Sequence, residues 1–230
     1  MAIHLPPQET PKEGIAAVLT GDVVSSARLR LEQPLPDILG AAFARVAAKQ
    51  GSVLRPFEIF RGDSFQGVMA PREALFGAIV IRASLRATRC NHNQTPDARI
   101  AIGIGTIDAP HERIPESDGE AFRLSGRALD GLANAKGGGR LGISTCWPSV
   151  QEEIETIGEM LDSIILRWRR PSAEVMSLIL TDESITQTII ASQLKISQPA
   201  VSVRMKTAQA HLVQKLITRF ETLVAERSLK

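Results

Sequence analysis

Tyrosine is missing from this 230-residue chain, and it contains only seven phenylalanines and two tryptophans. So few rings argue against a protein that holds single-stranded nucleic acid by stacking bases on aromatic side chains. Cysteine is as scarce: Cys90 and Cys146 stand far apart and form no Cys-x-x-Cys pair. A disulfide framework and a cysteine zinc site are therefore not expected, and the usage suits a reducing, cytoplasmic setting. No apolar stretch approaches the ~20 residues of a membrane helix; Ile15–Leu19 and Ala78–Ile81 are typical. The opening MAIHLPPQETPKEG also lacks the basic start and apolar run of a signal peptide. A membrane partner is not expected. The four histidines, His4, His92, His111 and His211, share no ligand spacing and read as surface or loop residues.

What is present is an ordinary globular composition, 43% hydrophobic and 23% charged, with a formal net charge of +2. At ~150 residues per domain this length suggests one or two domains. The proline-rich start reads as an irregular arm over 1–14. From there the pattern gives a strand at Ile15–Thr20, a helix from Pro36 to Gly51, and a hairpin of Val53–Phe60 and Phe65–Ala70. A second helix opens at Pro71, with Leu75, Ala78, Ile81 and Leu85 on one stripe. Arg99–Thr106 alternates Ile with Ala or Gly, which predicts a strand whose small side packs close to a helix. A third helix spans Glu120–Lys136, and a last strand falls at Leu141–Thr145. The order β-α-β-β-α-β-α-β over 15–146 predicts an α+β fold, a ferredoxin-like or nucleotidyl cyclase-like mixed sheet with helices on one face. Gly137–Gly139, between Lys136 and Arg140, has the composition of a phosphate cradle. It follows a helix instead of opening one, so it reads as a tight turn.

Beyond Trp147-Pro148 strand signals stop, and 147–230 reads as an all-α domain. Residues 147–180 carry six acids (Glu152, Glu153, Glu155, Glu159, Asp162 and Glu174), whereas 190–219 carry five bases (Lys195, Arg204, Lys206, Lys215 and Arg219) and no acid. Within the basic stretch, QTIIASQLKISQPAVSVR has the layout of a helix-turn-helix at about 185–208. Ala191 is the small residue at the crossing, Ile190, Leu194 and Val201 form the inner faces, and Ile196 anchors the turn. Ser197 caps the second helix and Pro199 sits in its first turn. Lys195 stands where glycine is common, at a conformational cost of order 1 kcal/mol. The residues offered to a major groove are Lys195, Ser197, Gln198, Ala200, Ser202, Val203, Arg204 and Lys206. Gln suits adenine, Arg suits guanine, and all the polar ones can reach phosphates. Double-stranded DNA is the expected partner. Leu212, Leu216, Phe220 and Leu223 continue as a helix that either packs on its own domain or forms a homodimer seam, which would suit paired half-sites.

Two acids stand at strand ends, Asp22 in GDVVSS and Asp63 in GDSFQG. A pair of carboxylates at a sheet edge can hold Mg²⁺ against a triphosphate, although an Asp after Gly is also a common turn residue. Ser25 and Ser26 have no adjacent base, so they read as capping or phosphate contacts.

The order of these motifs resembles the palm-like fold of class III nucleotidyl cyclases and GGDEF proteins. That resemblance implies metal-binding aspartates at Asp22 and Asp63 and a phosphate-facing arginine at Arg127, with Arg123 four residues earlier. The sequence departs from active cyclases at Arg123, where an Asn is usual, and in the lack of a purine-reading Lys; the hairpin reads GDSF, not GGDEF. More closely, the GD-V-x-x-S start, the GD-x-FQG hairpin, Asp118-Gly119-Glu120-Ala121-Phe122 at the third helix and a C-terminal helix-turn-helix, which itself resembles sigma-factor region 4 and LuxR-type domains, together resemble the SatD family. The SatD resemblance implies the architecture; with the helix-turn-helix pattern and the cyclase-like motifs, the expected function is a bacterial DNA-binding transcriptional regulator whose N-terminal domain binds a nucleotide or phosphate ligand with Mg²⁺ through Asp22, Asp63, Ser25, Ser26, Arg123 and Arg127. Two alternatives stay open: a Mg²⁺-dependent nucleotide cyclase or nucleotidyltransferase tethered to DNA, and a regulator whose N-terminal domain only dimerises.

Overall fold

The computed structural model describes residues 14–90, 94–107, 118–134, 137–182 and 184–228. All of the expected N-terminal arm except Gly14 lies outside these residues, as do His4, His92, His111 and Lys136. Five strands and eight α-helices are formed among the described residues. In chain order they are β1 (Ile15–Val23), α1 (Leu35–Ala47), β2 (Val53–Phe60), β3 (Ser64–Met69), α2 (Ala74–Ala87), β4 (Ala98–Thr106), α3 (Glu120–Asn134) and β5 (Leu141–Thr145). Then come α4 (Pro148–Leu166), α5 (Arg170–Ile179), α6 (Gln187–Leu194), α7 (Gln198–Thr207) and α8 (Ala210–Ser228). The expected β-α-β-β-α-β-α-β order is present, with ends shifted by a few residues.

The strands form one mixed sheet in the order β2-β3-β1-β4-β5. β1 pairs antiparallel with both β3 and β4, β2 antiparallel with β3, and β4 parallel with β5. The β1-α1-β2-β3-α2-β4 portion thus traces a split βαβ arrangement with β3 inserted between β1 and β2. The two-residue period of the strands sorts the side chains. Ala17, Leu19, Phe65, Met69, Ile100, Ile102, Ile104 and Ile143 face one side and merge with α1, α2 and α4 into the main core. Phe43 of α1 stacks on Phe57 of β2 at 4.5 Å between ring centroids and closes the outer edge of that side.

The other face is covered too, which corrects the expectation of helices on one face. Ala16, Val18 and Val68 pack there with Ala121 of α3. The reason lies in β4, where Gly103 and Gly105 alternate with the isoleucines. A Cβ at Gly103 would sit 2.1 Å from the Ala121 carbonyl oxygen and 2.4 Å from the Ser125 amide nitrogen. The α3 backbone therefore rests directly on β4, and the Thr20 and Ser125 hydroxyls meet across the contact at 3.0 Å.

The C-terminal helices do not stand apart as the expected separate all-α domain. One cluster of buried residues runs from Ala17 through Trp168 to Val224. α5 packs on α2, and α4 lies on β5. Helix α2 is the cause: every residue from Ala74 to Arg86 is buried, so it is enclosed by the sheet on one side and by α5 on the other. No helix among the described residues is long and apolar enough to cross a membrane.

Gly103→Ala should lower stability by at least the ~1–3 kcal/mol of an overpacked core site, because backbone atoms meet the new methyl. Gly131→Ala, on the open side of the same helix α3, should be neutral or stabilising by up to ~1 kcal/mol. Urea unfolding of the two variants tests the assignment of that face; equal midpoints would refute it.

Candidate functional site

At the sheet end where β1 finishes and β4 and β5 begin, the pairing register sets Asp22 opposite Ser64 on one side and Arg99 on the other. Arg99 grips Asp22 with a two-pronged contact, Nε donating to Oδ1 at 3.1 Å and Nη2 to Oδ2 at 2.6 Å. The neighbouring carboxylate raises Arg99 above the ordinary arginine value, with partial burial opposing. Asp63 follows the hairpin turn, where Arg61 and Gly62 both take positive φ. Its carboxylate accepts the Ser26 hydroxyl at 2.6 Å and the Ser64 hydroxyl at 3.3 Å, while its carbonyl accepts the Val23 amide. Ser25 is exposed at a left-handed φ of 54°, at the start of a short 3-10 turn.

The arginines expected beside these acids are placed differently from one another. Helix α3 starts over Gly105 and Thr106, the opposite end of β4 from Arg99, and runs back along the sheet. Arg123, near that start, pairs with Asp118 at 2.9 Å. Arg127 lies one turn further along, exposed, with Nε bonded to the Arg123 carbonyl. Arg123 is therefore not brought to Asp22. In this arrangement both oxygens of Asp22 accept from Arg99, and those of Asp63 accept from Ser26 and Ser64. No group of three or more His, Cys, Asp or Glu able to hold a metal occurs among the described residues.

In the C-terminal part, α6 and α7 are joined by the turn Lys195–Ser197. Thr186 caps α6 by accepting the Ile189 amide, and Ser197 caps α7 by accepting the Ala200 amide. Lys195 adopts the left-handed conformation at φ 53°, and the Ile196 amide reaches back to the Ala191 carbonyl at 3.0 Å. Ala191, Ile190 and Val201 are buried at the crossing. Lys195, Ser197, Gln198, Ser202, Val203 and Lys206 are exposed, and Ala200 is half-buried. Gln198 donates to Gln187 at 2.6 Å.

Arg204 is turned inward, its Nη1 donating to Glu174 of α5 at 3.1 Å. Arg219 pairs with Glu153 of α4 at 2.7 Å. The acidic and basic stretches, segregated along the sequence, are thus partly matched in space. Lys195, Lys206 and Lys215 are left without a partner among the described residues.

One constellation escaped the sequence reading. Arg82 of α2, fully buried, donates Nε and Nη2 to the two oxygens of Asp97, each at 2.9 Å, and Nη1 to Asp162 of α4 at 2.6 Å. Arg86, one turn on, donates to Asp97 at 2.7 Å and to the carbonyls of Leu166 and Trp168 at the end of α4. Arg140 adds a contact to Asp97 at 3.3 Å, and its amide donates to Asp162. The signal was visible in AIVIRASLRA: two arginines four apart inside an apolar helix that has little surface to offer them.

A mixed five-stranded sheet under a helical cover that shares its core, with charged side chains gathered where β1 ends and β4 and β5 begin, defines a mixed α+β protein of one continuous core. A family model described as the SatD family matches residues 15–223. The chain belongs to the SatD family. It is similar to the solved structure of a bacterial light-regulated adenylyl cyclase, at 13% identity and a TM-score of 0.35, covering 58% of this chain and 77% of that one. A likeness at that level carries no argument about activity. No curated protein matches the chain.

The buried network predicts a pH response. Burial opposes ionisation of Asp97, but Arg82, Arg86 and Arg140 outweigh it and hold its carboxyl below the usual range. A depressed folded value means the contribution is present above the ordinary carboxylate pKa of ~3.9 and fades as pH falls through the lower folded value. Asp97→Asn should cost ~3–5 kcal/mol at pH 7, since it leaves buried Arg82 and Arg86 with Asp162 as the one remaining carboxylate beside them among the described residues, and should flatten the acid limb of a stability–pH curve. Denaturant unfolding from pH 7 to pH 2 checks both; an unchanged acid limb would remove Asp97 from that role.

Proposed function

We propose that this protein is a DNA-binding transcriptional regulator that lays α7 in the major groove. One observation carries the reading. The inner residues Ala191 and Val201 are buried while Gln198, Ser202, Val203 and Lys206 project from one exposed face, Val203 at 64% exposure. An apolar side chain so open suits contact with a thymine methyl, and Gln198 suits adenine. Arg204 serves the mounting of α7 through Glu174 before it can serve DNA. The three unpartnered lysines supply phosphate contacts. A homodimer would present two such helices to half-sites about 34 Å apart.

The full chain should bind duplex fragments from its own promoter region with a log–log salt slope near −2.7 per subunit, for ~3 phosphates neutralised. Lys206→Ala should reduce that slope by about 1, and Gln198→Ala should cost ~1–3 kcal/mol and relax base preference. Fluorescence anisotropy across a salt series measures both. Binding that is absent, or that ignores salt, would overturn the assignment.

A second reading, a nucleotide or other phosphate ligand with Mg²⁺ at the sheet end, rests on the register that gathers Asp22, Arg99 and Ser64 there, with Ser26 bonded to the adjoining Asp63. Arg99 and the Ser25 and Ser26 hydroxyls suit phosphate oxygens, and Asp63 and Asp22 would take the cation only once Arg99 has exchanged its carboxylate for phosphate. Asp63→Asn should leave the unliganded melting temperature within a few degrees and abolish any Mg²⁺-dependent shift produced by ATP or GTP. Release of pyrophosphate by the wild-type chain would favour the nucleotidyl cyclase or nucleotidyltransferase alternative instead. Dependence on Arg127 would place the triphosphate along α3.

A further inference from the structure

Four arginines line a cavity of about 470 Å³ formed by Arg86, Thr95, Arg140, Leu166, Arg167 and Arg169, with no carboxylate in its lining. Beneath it, among the described residues, the acids that Arg82, Arg86 and Arg140 pair with are Asp97 and Asp162, three positive charges against two negative. Arg167 and Arg169 add two more and have no ion pair among the described residues. Burial and repulsion from Arg82 and Arg140 together lower Arg86 below the ordinary arginine value, against the pull of Asp97. Like charges gathered this closely are stabilised by an anion that completes the set.

We propose that this cavity, between the end of α2, the start of β5 and the α4–α5 turn, binds a phosphate group, either as the free ion or carried by a small phosphomonoester. The guanidinium fork matches two oxygens of a tetrahedral anion, which is why arginine dominates phosphate recognition over a mobile lysine. The space falls within the usual range for small-molecule sites, ~300–1,000 Å³. Arg86 is held rigid by Asp97 and by the Leu166 and Trp168 carbonyls, and its side chain is 6% exposed. Arg140 is anchored through its backbone to Asp162 and, through its own carbonyl, to the Ile100 amide. Two of the four cations are thus fixed before any ligand arrives, and the exposed Arg167 and Arg169 can close on it. The site lies at the same sheet end as the Asp22–Arg99 pair but on the side covered by α2 and α4, and it does not depend on the DNA reading.

Isothermal titration of the full chain with sodium phosphate, at constant ionic strength in chloride, tests it. Saturable one-site binding is expected. The Arg167→Gln/Arg169→Gln double variant should weaken it at least tenfold, with an unchanged melting temperature because neither side chain has an ion pair among the described residues. Arg140→Gln should also weaken it, and Arg72→Gln, about 20 Å away at the other end of α2, should not. A parallel titration with adenosine monophosphate distinguishes the sources: tighter binding identifies a phosphomonoester, weaker binding the free ion. No saturable binding, or binding that the double variant leaves intact, overturns the site. So does a double variant that loses duplex DNA affinity while no phosphate binding is detectable, which assigns the patch to the DNA backbone.

Discussion

Arg82 is the contact on which the architecture turns. A guanidinium with no access to water is costly unless each of its donors finds an acceptor. Here one acceptor, Asp97, lies on the approach to β4, and the other, Asp162, is on α4. Satisfying Arg82 therefore requires that α2, the sheet and the first C-terminal helix be in register at once. Arg86 extends the demand, because its donors end on the carbonyls at the close of α4, groups that a helix end otherwise leaves unpaired. A purely apolar contact between α2 and α4 would permit sliding; this one has a single arrangement in which the donors of Arg82 all find acceptors.

That network also separates what the sequence makes legible from what it hides. The strands and helices of 15–146 could be read because their signals are local: alternation in Arg99–Thr106, stripes in Leu75–Leu85, a Gly-Asp turn in the hairpin. The α6–α7 turn could be read for the same reason, since its caps are Thr186 and Ser197 and its left-handed residue is Lys195, all within a dozen positions. The second face of the sheet was half visible. Gly103 and Gly105 announced a close approach, but only the fold showed that the approaching helix is α3 and lies opposite α1 and α2. The boundary near 147 was argued from the end of strand signals, whereas the buried cluster runs across it. Where strands stop says nothing about where a core stops, and the pairing of Arg82 with a residue 80 positions later leaves no periodic trace.

Charge behaved in the same way. The acid-free run from 190 to 219 suggested an unopposed basic surface, yet Arg204 and Arg219 find Glu174 and Glu153 on the preceding helices. Segregation in sequence became partial neutralisation in space, because α4 and α5 carry acids toward the helices that carry bases. Asp22 met a similar fate: its opposite in the β1–β4 register is Arg99, so a carboxylate read as a metal ligand arrives already paired. Charged residues can be placed on elements from sequence, but their partners are set by pairing register and helix packing.

These partnerships also fix how α7 is mounted on the rest of the molecule. The Trp168 carbonyl accepts from Arg86, and its indole Nε1–H donates at 3.0 Å to the carbonyl of Ala208, just past the last residue of α7. Trp168 is 1% exposed, so neither bond competes with water. Glu174 ties Arg204, in the middle of α7, to α5, whose first residue lies two positions after Trp168. Helix α7 is accordingly fixed at its middle and its end to the segment that Arg86 clamps, while its exposed face stays free of the core. The α4–α5 turn that Arg86 holds is thus bonded both to the sheet side, through Asp97, and to α7, through Trp168 and Glu174. Arg86 at the cavity and the end of α7 therefore share one buried tryptophan, a contact within a single continuous core.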